Sequence, residues 1–348
     1  MRILAACGLS EPAKAAKSRD TSWDSQILTD PLTLNPPVML APLAGITDLP
    51  FRNLVSSFGA GMVVSEMVAS HDMINATRGS RERSELGLGD VGTAVQLAGS
   101  EPGPMAEAAR MVQGQGASVI DINMGCPAKK IVNGYSGSAL MKTPDHALTL
   151  IEAVVNAVDI PVTLKTRLGW DDDMLNAPDI ARRAEAAGIR RIVIHGRTRC
   201  QFYKGNADWK AIAGVKNVVS IPVIANGDIV DVATARAAME QSGADGIMIG
   251  RGAQGRPWLL AQVAYELFGT AAPIIPRGRD FSDMVSAHYE AMISFYGETI
   301  GLRMARKHLG WFMDTVSTDK DLRRRVLTSK SVGEVISLIP DAIMDPVP

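Results

Sequence analysis

Ser118-Val119-Ile120-Asp121-Ile122-Asn123-Met124-Gly125-Cys126-Pro127 runs from a short β-branched segment into an amide, a glycine and a lone thiol. Residues 118–122 have the length and composition of a buried strand, while residues 129–138 carry too many turn formers to pack as a regular element. A strand that stops at a glycine-rich loop bearing reactive groups reads as the rim of an active site. Cys126 is therefore expected on a mobile loop at such a rim.

The same pattern recurs outward in both directions. Seven more apolar runs of strand length, at residues 38–40, 62–64, 94–95, 162–164, 192–194, 223–224 and 246–249, end in polar or glycine-bearing turns. Most intervals between them hold helical spacing, at residues 101–113, 144–158, 178–187, 231–241 and 257–268. Strands alternating with helices imply a parallel sheet, and eight such units favour a closed (β/α)8 TIM barrel over an open doubly wound sheet. In a barrel the C-terminal strand ends share one face, so Gln96, Asn123, Cys126, Lys165, His195, Asn226 and Arg251 are expected together there. Wet loops explain a polar residue after any one strand, but not functional residue types after so many.

The 348 residues exceed a bare barrel. The barrel pattern covers residues 35–268, residues 269–278 read as a linker, and residues 279–348 read as a small all-helical C-terminal domain with helices over 283–295, 301–314 and 319–327. Residues 1–34 lack sustained periodicity and are expected to form a flexible lead-in. Leu4-Ala5-Ala6-Cys7 imitates a lipoprotein cleavage box, but too few apolar residues precede it for a signal peptide. No run approaches membrane-spanning length. Three cysteines without Cys-x-x-Cys spacing argue for a reducing compartment, no disulfide framework and no structural metal, so a cytoplasmic protein is expected.

Net charge is −1, which excludes a global basic field. Residues 299–330 nevertheless hold eight basic against three acidic side chains, a local excess of +5 that includes Arg323, Arg324 and Arg325 and suits contact with a phosphate backbone. A solvated helical surface explains the same charges equally well.

Of two glycine-rich runs, 87–92 precedes a strand and cannot open a helix toward pyrophosphate, so it reads as a turn. The run 250–255 follows a strand and opens a helix with Pro257 in its first turn, but Thr270 stands where a dinucleotide fold needs an acidic residue. Paired with Asn226-Gly227-Asp228, it marks instead the barrel position that binds a phosphate. A phosphorylated cofactor is implied, most simply flavin mononucleotide (FMN). Lys165 offers a cation for the charge of a reduced flavin, unless it pairs with a rim carboxylate such as Glu66. Gln96 suits the edge of a pyrimidine-like ring, and His195 either holds flavin or substrate or is structural. Cys126 can serve as a general acid, with no adjacent base to make it a nucleophile.

Ala41-Pro42-Leu43-Ala44-Gly45-Ile46-Thr47-Asp48, Ser65-Glu66-Met67, Gln96-Leu97, Asp121 to Pro127, Lys165-Thr166-Arg167-Leu168-Gly169-Trp170, His195-Gly196-Arg197-Thr198-Arg199, Asn226-Gly227-Asp228, Gly250-Arg251 and Pro257-Trp258 stand in one order along the chain. This ordered set resembles the bacterial tRNA-dihydrouridine synthases, the B-type subgroup among them; Leu43 stands where that family often has methionine, a volume-conserving exchange. The resemblance implies noncovalent FMN, NADPH as reductant, and reduction of the C5=C6 bond of a uridine in tRNA. It implies FMN contacts for Pro42, Leu43, Ala44, Gln96, Lys165, His195, Asn226, Gly227, Asp228, Gly250 and Arg251. Asn123 and Arg167 would hold the uracil, Cys126 would protonate C5, and the helical appendage would bind RNA. Two rivals are a small-molecule FMN barrel oxidoreductase, such as a dihydroorotate dehydrogenase or ene-reductase, and a noncatalytic RNA-binding regulator. Only the appendage speaks against the first; the presence of Cys126 and Lys165 speaks against the second.

Overall fold

The computed structural model describes residues 32–76, 79–86 and 93–343. Nearly all of the expected lead-in, and the glycine run 87–92, lie outside the described residues. Among the described residues nine strands, all paired in parallel, form the sheet: β1 (Val38–Leu40), β2 (Met62–Val64), β3 (Val68–Ala69), β4 (Thr93–Ala98), β5 (Val119–Asn123), β6 (Val162–Arg167), β7 (Ile192–His195), β8 (Val223–Asn226) and β9 (Gly246–Ile249). β1 pairs with both β2 and β9, and β2 pairs with β4, so eight strands close on themselves as the expected barrel. The two-residue β3, too short to announce itself in sequence, lies beside the end of β4.

Between and after the strands run α1 (Leu49–Ser57), α2 (Ser70–Ile74), α3 (Ser80–Ser84), α4 (Pro102–Gly114), α5 (Lys129–Val132), α6 (Pro144–Val155), α7 (Ala177–Ala186), α8 (Trp209–Lys216), α9 (Val232–Ser242) and α10 (Leu259–Phe268). α9 starts where Asp231 and Thr234 form a capping box and stops at Gly243 in the left-handed region. α1 and α8 are each under three turns, too short for a sustained apolar period, yet both are fixed by a capping aspartate, Asp48 on Phe51 N and Asp208 on Ala211 N. α10 begins at Leu259, two residues after Pro257; the glycine run itself makes only a 3-10 turn, Arg251–Ala253.

Strand alternation builds the site. Met39, Met62, Ala94, Val119, Val193, Ile224 and Met248 pack together as the barrel interior. Two residues further along their strands, on the same face, stand Gln96, Asp121, His195 and Asn226. The strands are therefore longer than their apolar runs: Gln96, Asn123, Lys165, His195 and Asn226 stand at the strand ends, as expected, with β4 and β6 continuing two residues past Gln96 and Lys165. The inward face turns polar near the rim while the ladder continues.

The C-terminal segment holds α11 (Gly278–Tyr296), α12 (Glu298–Met313), α13 (Lys320–Thr328) and α14 (Val332–Ala342), the last unforeseen and containing Pro340. Phe281, Val285, Met292, Leu309, Phe312, Val335 and Ile339 share a second core that Trp258 joins from the barrel. Phe51 of α1 meets the rings of His288 and His308, and the Tyr296 hydroxyl donates to Asp48 Oδ2 at 3.1 Å. A Cβ on Gly255 would stand 2.4 Å from the carbonyl oxygen of Trp311, so glycine is what lets barrel and α12 approach there.

Candidate active site

One cavity of about 780 Å³ opens at the C-terminal end of the barrel. Pro42, Leu43, Ala44, Gln96, Asn123, Cys126, Lys165, Arg167, His195, Asn226, Gly227, Asp228, Gly250 and Arg251 all line it. Residues as far apart in sequence as Pro42 and Arg251 thus meet at one surface. Arg323, Arg324 and Arg325 lie elsewhere, on α13.

One wall is an amide and carboxylate chain. Gln96 Nε2 donates to Asp121 Oδ2 at 2.7 Å, and Asn123 Nδ2 donates to Gln96 Oε1 at 2.7 Å. Thr163 Oγ1 donates to the other Asp121 oxygen at 2.7 Å, and burial pushes that carboxyl above its ordinary pKa. Asn123 Oδ1 accepts from Gly125 N at 3.1 Å and Cys126 N at 2.9 Å, so the side chain that ends β5 shapes the turn carrying the thiol. Gln96 keeps one N–H and one lone pair for a ligand, and Asn123 keeps one N–H.

The adjoining strand, β6, makes the site cationic. Lys165 is 9% exposed, donates to Asn226 Oδ1 at 3.1 Å, and forms no carboxylate ion pair among the described residues. Burial, reinforced by Arg167, pulls its pKa down to about 8. The alternative pairing with Glu66 does not occur: Glu66 Oε2 accepts from Gly45 N at 2.9 Å and holds the 42–47 loop instead. Arg167 Nε donates to Gly125 O at 2.7 Å, and its Nη1 donates to Thr198 O and Phe202 O, both at 2.9 Å, while Nη2 makes no hydrogen bond among the described residues. Burial lowers its pKa to about 10. His195 is held neutral, first by burial and then by the surrounding Lys165, Arg167, Arg197 and Arg251.

At the turn after β8, Gly227 has φ +114°, and a Cβ there would stand 2.8 Å from the His195 ring, so only glycine fits. Trp209 Nε1 donates to its carbonyl at 2.8 Å. Asp228 bridges Arg197 and Arg251; burial raises its carboxyl pKa, but hydrogen bonds from Arg197 and Ala207 N outweigh that and leave it below the usual range.

Sequence reasoning missed Asp121 as a site residue because it sits inside an apolar run, and missed Arg197 because it is a buried strut. It also missed Tyr203, whose ring lies 5.6 Å from the Arg167 guanidinium and 5.0 Å from that of Arg251. The expected mobile, irregular 129–138 loop is organised: it contains the turn of α5 and leads into a 3-10 helix, Gly137–Lys142. Backbone carbonyls released by one turn find partners in the next, which turn-former counts do not register.

On α13, Arg323 pairs with Asp314 at 2.8 Å, Arg324 with Asp321 at 3.0 Å and Arg325 with Glu334 at 3.6 Å. Among the described residues no group of three or more His, Cys, Asp or Glu is arranged to hold a metal ion, and no helix is long and apolar enough to cross a membrane.

The family model "Dihydrouridine synthase (Dus)" matches residues 39–345. A "Probable tRNA-dihydrouridine synthase" of Rhodobacter capsulatus is 60% identical over 92% of this chain and 98% of its own length. A protein of the same description from Rhizobium leguminosarum is 53% identical over 88% and 95%. The "tRNA-dihydrouridine synthase B" of Xanthomonas campestris is 46% identical over 89% and 94%. With its closed barrel, its convergent strand ends and a family match that spans nearly all described residues, the chain belongs to the dihydrouridine synthase family.

Proposed function

We propose that this chain is a tRNA-dihydrouridine synthase that reduces the C5=C6 bond of specific uridines in tRNA, with FMN as cofactor and NADPH as reductant. The observation that carries this reading is the meeting of Cys126, Lys165 and two glycine-bearing turns in one cavity of a chain of this family. The donor set fits a flavin mononucleotide. A buried lysine without a carboxylate partner suits a group that becomes anionic on reduction, and the turns at Gly227 and Gly250, with Arg251, suit a phosphate. Pro42, Leu43 and Ala44 would flank the ring, Gln96 would meet its pyrimidine edge, and His195, Asn226 and Asp228 would complete the contact set. FMN, when bound, supplies the hydride that NADPH has delivered.

The chain's own residues do the rest. Asn123, through its remaining N–H, and Arg167, through Nη2, would hold the uracil carbonyls. The Cys126 thiol gives its proton to C5 as hydride arrives at C6, and solvent returns the proton to sulfur. Lys165 keeps its charge beside the cofactor because an adjacent anion raises its pKa again. A base inside folded tRNA reaches this cavity only after unstacking, at a cost of a few kcal/mol that contacts elsewhere must offset. Residues 279–348, joined to the catalytic residues 35–268 by 269–278, are assigned that docking, with Arg323, Arg324 and Arg325 near the backbone. The compartment is the cytoplasm, where tRNA and NADPH are available. The test is a dihydrouridine map of tRNA from cells with and without the protein: at least one position should lose the modification, and identical maps would contradict the assignment.

A further inference from the structure

Between Cys126 and Ser138 the chain forms a closed loop whose outer surface the chemistry above does not use. The Cys126 carbonyl accepts from Ser138 N at 3.1 Å and Ser138 Oγ at 2.9 Å, which pins both ends of the loop together. Gly137, at φ +61°, makes this closure sterically feasible, since a Cβ there would stand 2.8 Å from the Cys126 carbonyl oxygen. Pro127 and Ala128 line the cavity, and the next two residues outward are Lys129 and Lys130, both exposed. The segment 127–137 contains no acidic residue, and neither lysine forms an ion pair among the described residues. At the far side of the loop Tyr135 is 77% exposed and has φ +54°, a left-handed conformation unfavourable for a bulky side chain. Packing does not account for an aromatic ring held out in water at a strained position on the same loop as two exposed lysines.

We propose that this loop is a docking surface for the RNA strand flanking the target uridine, with Lys129 and Lys130 on phosphates and Tyr135 stacked on a neighbouring unpaired base. The inference rests on the tRNA reading above and deepens it by naming the surface. Unpaired ammonium groups release counterions from phosphate, and an exposed ring offers a sequence-tolerant stacking platform. Because the loop closes on Cys126, RNA held at its outer surface also fixes the position of the thiol. Base extrusion and proton donation are thereby served by one segment.

The experiment is a binding titration of unmodified tRNA against the full-length flavoprotein at several salt concentrations. Lys129→Gln with Lys130→Gln should reduce the slope of log affinity against log salt by about 1.5, the value for two phosphate contacts. Tyr135→Asn, which tolerates the left-handed backbone but removes the ring, should weaken binding by about tenfold with the slope unchanged. Flavin absorbance and melting temperature should stay at wild-type values in both variants, because these side chains are exposed and outside the cavity. Wild-type slope in the lysine variant together with affinity within twofold in the tyrosine variant would overturn the inference alone. A wild-type protein with no affinity for tRNA would overturn the functional reading and the inference with it.

Discussion

The cavity wall and the helix α13 both concentrate positive charge, but they keep it in opposite conditions. Lys165 is buried and has no carboxylate ion pair among the described residues, so its charge stands ready for an anionic ligand. Arg323, Arg324 and Arg325 are each shared with Asp314, Asp321 or Glu334. Lys307 is likewise spent: it lies half-buried near Asp48 and Glu66, which oppose the lowering of its pKa by burial. The +5 counted over residues 299–330 therefore overstates the field that an RNA would meet. What matters for binding is charge left uncompensated, and that can be read only after the chain has folded.

The largest effect that can break this comparison lies at the cavity. Cys126→Ala should leave the purified protein yellow while lowering steady-state dihydrouridine formation by at least about 100-fold, the scale of a lost general acid. Undiminished turnover would remove the thiol from the mechanism.

Lys165→Met sharpens the contrast through stability. In flavin-free protein the wild-type lysine has a pKa of about 8 against 10.5 unfolded, so below pH 8 the full cost of a buried charge, on the order of 3 kcal/mol, is present in the fold. The methionine variant should therefore unfold at higher denaturant at pH 7, with the gain shrinking as pH rises from about 8 to 10.5, while losing activity. Equal denaturation midpoints at pH 7 would show that the lysine is not a stored cost.

The seam between barrel and appendage gives the counterpart for a neutral buried group. Burial holds His288 down to about 4, so the unfolded chain takes up a proton between pH 6.5 and 4 that the native protein refuses. Stability falls as pH drops through that window. His288→Phe should reduce the proton uptake on unfolding there by about one, as read from the pH dependence of urea midpoints; an unchanged pH dependence would mean that His288 is solvated. The smallest effect is expected on α13. Arg323→Ala with Arg324→Ala should weaken tRNA binding only a few-fold and flatten the salt slope by less than two contacts' worth, because those guanidinium groups are already paired. A larger loss would return the appendage to the position of main phosphate contact.

Much of this architecture was legible in the residues themselves. Eight apolar runs gave the barrel, and at five of them the polar residue at the strand end, Gln96, Asn123, Lys165, His195 or Asn226, lines the cavity, because alternation forces the inward face to carry the chemistry; Ser65 and Glu66 after Val64 do not line it. What the apolar runs do not show is how far each strand continues: β4 runs on to Ala98 and β6 to Arg167, past Gln96 and Lys165, because pairing with β3 and with β7 continues there. Asp121 was hidden in an apolar run, since a carboxylate satisfied by Gln96 and Thr163 can be buried among β-branched residues. The pairing of Arg325 with Glu334 joins α13 to α14, a helix whose internal Pro340 concealed it.

The central claim is that the cavity delivers hydride to C6 of a uridine and a proton from the solvent-exchangeable Cys126 thiol to C5. The direct measurement is a single turnover of the NADPH-reduced wild-type protein with tRNA in deuterium oxide, with the deuterium located in the product by mass spectrometry of the nucleoside. One deuterium at C5 is the predicted result, appearing at least about 100-fold more slowly with Cys126→Ala. Absence of deuterium from C5, or its incorporation at an undiminished rate with Cys126→Ala, would contradict the account.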